Sequence, residues 1–466
     1  MKKLFIYALS AAIFSSCGLY RKYERPTEIK TDGIYGDAQD GDDKGIGDLE
    51  WRQFFTDPAL QSLIEKGLAQ NTDIRNADLN IQKAQYALQC AKLAYIPTIY
   101  FSPSGAVSKM YDPYNRSENK SMTSGNSKTY EFPVSMSWQV GSIGYLRNNK
   151  LKADVSLLQL KNAKQAIQAS LVAGIASMYY NLAMLDEQLA LTKQTRDNWA
   201  KYLEMQKQLM NAGQSNQAAV SSIEATYYSI CTGVESLEST IRNIENTLGT
   251  LLGETATHVN RNALNTFKAP AILATGAPIN ILSRRPDVKA AELELASAFY
   301  DKNIAKSAFY PSLNISASGQ FTNSAGAKIV NPGLMIGSAL ASLTQPIFQN
   351  GAIRAKYKIS KADMEIATNN LQQAVIAAGN EVNTAMVNVR DAEAQYELYS
   401  KQVDALKIAL DATEKLYAST SSNYLNVITA QNSLLQAQMS LISNRMDAID
   451  STISLYQALG GGSDVE

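Results

Sequence analysis

Several residues have side chains that could do chemistry. Arg284, Arg285 and Asp287 surround Pro286 in the stretch Leu282-Ser-Arg-Arg-Pro-Asp-Val288. Two guanidinium groups beside a carboxylate could bind an anion or pass a proton. The local pattern favours a structural role: Pro286 suits the first position of a helix, and Asp287 suits the positive end of its dipole. Cys90 and Cys231 fall within helical patterns and are expected to be buried thiols. His258, near the Leu251-Leu252-Gly253 helix end, is expected on a surface or connector. One His, three Cys and 13 dispersed Met make neither a clustered metal centre nor a copper relay. No Gly-rich phosphate loop, nucleophile elbow or pair of catalytic carboxylates stands out, so no enzymatic activity and no cofactor are expected. Lys+Arg and Asp+Glu both number 43 in 466 residues, which leaves no basic footprint for nucleic acid.

The thiol with the clearest chemistry is Cys17. Met1-Lys2-Lys3 is a positive n-region, Leu4 to Phe14 an apolar h-region, and Ser15-Ser16 a pair of small residues. Residues 1–16 thus have the grammar of a secretory signal. A Cys directly after small residues resembles a bacterial lipoprotein box, although Phe14 stands where such boxes usually carry Leu. On that resemblance Cys17 is the lipidated first residue of the mature chain, and acyl groups such as palmitate tether it to a membrane. An ordinary signal peptide with an incidental Cys is the alternative. Residues 17–50 then form a leader; the part from 30 to 48 is rich in Gly and Asp and lacks apolar periodicity.

The elements behind these residues come in two copies. Asp73–Gly105 aligns without a gap to Asp287–Gly319 at an offset of 214, with identities that include Asp73/Asp287, Ala91/Ala305, Pro97/Pro311 and Gly105/Gly319. Further on the offset is 207: Gly144–Arg147 matches Gly351–Arg354, Ile175 matches Val382, and Val220 matches Val427. Two halves with one plan should share one fold. Each half reads as a helix ended by a Pro, two alternating segments, a very long helix, a polar turn and another long helix. The expected organisation is a first repeat over 51–250, a connector over 251–285, a second repeat over 286–460 and a tail over 461–466.

Period-2 alternation marks the strands. Tyr130, Phe132, Val134, Met136 and Trp138 share one face against Glu131, Ser135, Ser137 and Gln139. Leu313, Ile315 and Phe321 share a face against Asn314, Ser316, Ser318 and Gln320. Strands are expected at about 98–108, 130–141, 312–323 and 334–345, joined in pairs by loops. A length near ten residues suits a tilted strand crossing a bilayer. The helices carry a seven-residue repeat, which from Ala378 runs through Val382, Ala385, Val389, Ala392, Tyr396, Tyr399 and Val403. The last helix has two such seams, so it needs two neighbours. A stretch of nearly 70 residues without Pro from 352 reaches about 100 Å as a helix.

If the strands lie in lipid, every backbone polar group there needs a partner, and only helices and closed barrels provide that. Four strands leave two open edges, and single-chain barrels start at about eight strands. Several copies of the chain must therefore share one barrel. The bland alternatives are a small soluble sheet over a helical core and an ordinary helix bundle.

Four stretches together resemble the outer-membrane factors, the TolC-like exit ducts of tripartite efflux pumps, and most closely their OprM-like lipoprotein branch. They are Trp51-Arg-Gln-Phe-Phe-Thr-Asp-Pro58; Leu282–Val288 with its Arg-Arg-Pro-Asp; Leu343-Thr-Gln-Pro-Ile-Phe-Gln-Asn-Gly351 with Arg354; and Tyr424-Leu425 with Val427, Ala430 and Gln431, closed by Leu455-Tyr-Gln-Ala-Leu-Gly-Gly-Gly462. The resemblance implies a mainly α fold with a membrane β-barrel part: a homotrimer with a twelve-stranded barrel in the bacterial outer membrane and an α-helical barrel in the periplasm. It implies export without chemical change, driven by an inner-membrane transporter of the RND type through a periplasmic adaptor, a membrane fusion protein. It places the gate at the periplasmic tips, the turns holding Gly213, Gln214 and Ser215 and, at offset 207, Thr420, Ser422 and Asn423. Ser422 stands where OprM-like members carry an acidic residue, so the constriction is expected to be less charge-selective. A polypeptide secretion duct and a non-conducting periplasmic coiled-coil scaffold are the competing functions.

Overall fold

The computed structural model describes residues 20–25, 46–109, 126–255, 258–267, 285–322, 335–419 and 424–462. The helices are α1 (Trp51–Phe54), α2 (Pro58–Gln70), α3 (Thr72–Leu93), α4 (Tyr145–Asn211), α5 (Gln217–Leu251), α6 (Pro286–Ser307), α7 (Ala352–Ala418) and α8 (Tyr424–Ala458). The strands are β1 (Thr98–Phe101), β2 (Ser104–Lys109), β3 (Asn126–Ser142), β4 (Ser312–Thr322) and β5 (Met335–Thr344). The repeat is visible in the element lengths. α3 and α6 have 22 residues each, α4 and α7 have 67, and α5 and α8 have 35. Their ends correspond residue for residue at the two sequence offsets.

Contacts divide the chain into two compact units. One contains the sheet, within Ile81–Gln159 and Glu292–Asn369, together with residues of Met1–Pro26. The other, within Thr27–Asn80, Leu160–Ala291 and Asn370–Glu466, is helical.

The sheet is antiparallel, in the order β1–β3–β4–β5, with β2 also paired to β3. β1 and β2 lie in one register along β3 and fill the expected first strand, which breaks at residues 102–103. The break has a chemical cause. Ser102 donates its N–H to the Pro133 carbonyl at 3.3 Å, but Pro133 has no N–H to return. β3 starts at Asn126, four residues before the expected start, and carries a bulge between Gln139 and Gly141, where Gly141 takes φ +69°.

In the helical unit the seven-residue seams define the packing. Ala378, Val382, Ala385, Val389, Ala392 and Val403 are buried, whereas Tyr396, expected in that seam, is 42% exposed. Val427 and Ile428, one from each seam of α8, enter a core with Trp199, Val220, Ile223 and Ile230. At the other end of α8, Tyr456 stacks on Phe54 at 4.1 Å and donates to the Leu49 carbonyl at 2.9 Å. α2 is capped by Asp57, which accepts from the Ala59 N–H, with Pro58 in the first turn.

Candidate functional site

The register sorts the sheet into two faces. On one, Phe132 stands opposite Phe321, Val134 lies between Phe101 and Gly319, Met136 between Ile99 and Ala317, and Trp138 opposite Ile315. Leu313 continues this face opposite Leu343. Ile99, Phe101, Phe132, Val134, Phe321 and Leu343 are exposed, and Tyr130, Met136, Trp138, Leu313 and Ile315 are half-buried. The other face carries Ser135, Ser137, Ser316, Ser318 and Ser338, with Ser318 and Ser338 hydroxyls 2.8 Å apart. Tyr100, Ile336 and Leu340 interrupt this polar face and are exposed. The poorer alternation of the fourth segment has its explanation here, because Gly337, Ala339 and Ala341 supply the apolar side of β5 with little bulk. Among the described residues the β1/β2 strand and β5 are each paired on one side only. Past β5, Ile347 and Phe348 are 96% and 82% exposed.

The first tip turn is built by local hydrogen bonding. Gly213 takes φ +77°, and the N–H of Gln214 reaches back to the Leu209 carbonyl at 2.9 Å, closing α4 with a left-handed cap. Asn216 opens α5 by accepting from the Ala219 N–H at 2.9 Å. Ser215 is held to α4 by the Gln206 amide. Gly213 and Gln214 are exposed. Thr420, Ser422 and Asn423 of the second tip, like Cys17, lie outside the described residues. Behind the tips, Tyr202 of α4 donates to Glu414 of α7 at 2.8 Å, and Gln431 of α8 approaches the same carboxylate at 3.4 Å. Burial, then the Glu414 hydrogen bond, pushes the Tyr202 hydroxyl up to about 12. Tyr417 packs against the nearby apolar core, and Lys415 pairs with Asp411 on the surface.

Arg284 is not among the described residues. Arg285 does more than precede a helix start. Its side chain is 7% exposed and donates to the Ala458 carbonyl at 2.7 Å, to Asp287 at 2.8 Å and to Glu381 at 2.5 Å. Burial acts to lower the Arg285 pKa, but the two carboxylates outweigh it and keep the guanidinium charged. The corresponding joint in the first repeat is made by Asn71, which donates to the Leu251 carbonyl at 3.1 Å and accepts from the Asp73 N–H at 2.8 Å. Asn71 and Arg285 differ by 214, and Leu251 and Ala458 by 207, so each repeat uses the same position to hold the same carbonyl.

Two networks escaped sequence reasoning. Arg261, 6% exposed, grips both oxygens of Asp186 at 2.5 and 2.8 Å and Glu245 at 2.7 Å. Burial acts to raise the Glu245 carboxyl, yet the Arg261 hydrogen bond and the Val259 N–H hold it below its ordinary value. His258 is exposed, with Nδ1 3.1 Å from Glu245. Asp57 meets Tyr179 at 2.7 Å and Asn262 at 3.0 Å, and burial pushes the Tyr179 hydroxyl up. Partners tens to hundreds of residues apart leave no periodic signal. The cysteines need a correction: both are free, Cys231 is half-buried and Cys90 is exposed. The inward stripe of α3 is Ile74, Ala77, Ala84, Leu88 and Ala91, and Cys90 falls beside it.

No helix among the described residues is long and apolar enough to cross a membrane. The Outer membrane efflux protein family model matches residues 63–254 and 277–461. The chain is 27% identical over 474 residues to the probable efflux pump outer membrane protein TtgC of Pseudomonas putida, covering 99% of this chain and 96% of that one. It is 26% identical over 473 residues to the cation efflux system protein CusC of Escherichia coli, covering 99% and 98%. The open-state MtrE outer membrane channel of Neisseria gonorrhoeae superposes with a TM-score of 0.78 at 22% identity, covering 95% of this chain and 98% of that one. The chain therefore belongs to the outer membrane efflux protein family.

Proposed function

We propose that this chain is the outer-membrane exit duct of a tripartite efflux pump and passively conducts small toxic compounds out of the cell. The observation that carries the reading is the sheet: an exposed apolar face, a hydroxyl-rich opposite face and, among the described residues, two edges without a pairing strand. Such a sheet is stable in a bilayer only when closed into a ring with other copies. Four strands from each of three copies give a twelve-stranded barrel, wide enough for a bore, whereas eight would be filled by side chains. Leu79, Tyr86 and Leu93 support the same reading, since they recur every seven residues on α3 and stay exposed, as expected of a helix awaiting a neighbour.

In this reading the serine-rich face lines the bore and the apolar face meets lipid. Acylated Cys17 anchors the mature start to the outer membrane. The long helices form the periplasmic duct, closed at the turns of Gly213–Ser215 and Thr420–Asn423. A periplasmic adaptor engages those tips and links them to an inner-membrane transporter, for which the RND type is the expectation. The cargo passes chemically unchanged. The test joins a gene deletion to planar-bilayer recording. Loss of the protein should sensitise cells to lipophilic toxicants, and the purified assembly should conduct once the Gly213 turn is loosened. Unchanged sensitivity together with silent bilayers would refute the proposal and favour a scaffold.

A further inference from the structure

The internal repeat specifies how the open edges of two copies meet, and we infer that register residue by residue. The inference rests on the duct reading, which requires closure of the sheet by further copies of this chain. The first strand of each repeat is related by 214 and the second by 207. These offsets can be checked on pairings the chain makes itself. Applied to Thr98↔Ser137 they give Ser312↔Thr344; applied to Phe101↔Val134 they give Ile315↔Ala341; applied to Gly105↔Tyr130 they give Gly319↔Gly337. All three products are observed in the β4–β5 ladder. The two repeats therefore pair their strands in one register.

β3 with β4 is the junction between repeat one and repeat two within a chain. β5 of one copy with β1/β2 of the next is the same junction between repeat two and repeat one. In a ring of copies the two junctions occupy equivalent places. Shifting the observed Phe132↔Phe321, Val134↔Gly319 and Ser135↔Ser318 by the same offsets sets Ala339 opposite Val107, Ala341 opposite Gly105, and Ser342 opposite Ser104 of the neighbouring copy.

Two features fit it, the first a necessary consequence of the shared offsets and the second independent of them. The first is facing. Ala339, Ala341, Gly105 and Val107 all lie on the apolar side of their strands, and Ser342, Thr344, Ser102 and Ser104 all lie on the polar side. A slip of one residue would set one copy's apolar side against its neighbour's polar side. The second is pairing chemistry. In this register Ser342 meets Ser104, Thr344 meets Ser102 and Leu340 meets Ala106. A slip of two residues in one direction sets Leu340 against Ser104, and in the other Ser342 against Ala106. The Ser102 N–H points to β3, so by alternation the Pro103 backbone points to the open edge. There it meets Leu343, and the seam lacks one hydrogen bond because Pro103 has no N–H.

Disulfide trapping tests the register. In the full-length chain with Cys90→Ser and Cys231→Ser, Ser342→Cys is combined with Ser104→Cys, and Leu340→Cys with Ala106→Cys. Both pairs sit at non-hydrogen-bonded positions, where Cα atoms are about 4.5 Å apart and a disulfide closes without distortion. The controls are Ser342→Cys with Ser102→Cys and Ser342→Cys with Ala106→Cys. Native mass of every variant is measured alongside. Mild oxidation should give covalent oligomers from the in-register pairs at about tenfold the yield of the slipped pairs. An assembled protein that cross-links best at a slipped pair, or at none, overturns the register and leaves the duct reading standing. A protein whose unmodified parent is a monomer overturns both.

Discussion

Asn71 and Arg285 hold equivalent carbonyls at the ends of α5 and α8, but they do so differently. Asn71 is small and neutral. Its amide spans the joint between α2 and α3, and the space beside it is an open groove of about 700 Å³ lined by Asp73, Asn76, Asn80, Gly174 and Leu251 among others. Arg285 brings a charge, and the second repeat supplies Asp287 and Glu381 to neutralise it. Glu381 stands where the first repeat has Gly174. The duplicated fold therefore requires the carbonyl to be bound and leaves open how. A neutral amide suffices where the neighbouring helix is bare, whereas a buried guanidinium needs the added carboxylate.

Variants at the two joints sharpen this comparison. Arg285→Ala should have the largest effect, a loss of about 2–3 kcal/mol seen as a lower midpoint of thermal unfolding in detergent. It removes a buried cation and frees the Ala458 carbonyl, while its half-exposed carboxylate partners regain water. Asn71→Ala should cost less, about 1–2 kcal/mol by the same assay, because only cap hydrogen bonds are lost. An equal or larger loss from Asn71→Ala would invert the comparison.

The third expectation concerns pH. Glu245 of the first repeat is paired with Arg261, while its second-repeat counterpart is the buried Thr452. The folded pKa of Glu245 is depressed, so its contribution is present above the unfolded value of about 4.3 and is lost as pH falls through the folded one. Glu245→Gln should lower the unfolding midpoint at pH 7, and its gap to the wild type should narrow steadily as the pH falls below the unfolded value of about 4.3. A gap that persists in acid would assign the effect to packing instead of charge. The smallest effect is expected from moving the second joint into the first. In the double variant Asn71→Arg/Gly174→Glu the groove has room, since nothing lies within 4 Å of a side chain added at Gly174. Stability should stay within about 1 kcal/mol, and outright loss of folding would show that the joints are not interchangeable.

What the residues revealed in advance depended on how local the signal was. Period 2 in Tyr130–Trp138 and in Leu313–Phe321 marked strands because alternate side chains must face alternate sides. Pro97, Pro311 and Pro286 marked helix ends through their own backbone limits. The repeat doubled each of these signals. The joints were hidden because they depend on tertiary placement. Nothing near Arg285 indicates that Glu381 and Ala458 lie within reach, and nothing near Arg261 points to Asp186 or Glu245. Cys90 was misread as buried because helical periodicity alone does not say which stripe finds a partner within the chain. The split of β1 from β2 was missed for a similar reason, since it arises from Pro133 in the facing strand.

The central claim is that one chain supplies only part of a closed wall. Native mass measurement of the protein extracted from outer membranes in mild detergent tests it most directly. The account predicts a particle of three copies that does not survive as a lipid-free soluble species. A freely dissolved monomer, folded and stable without detergent, would contradict it.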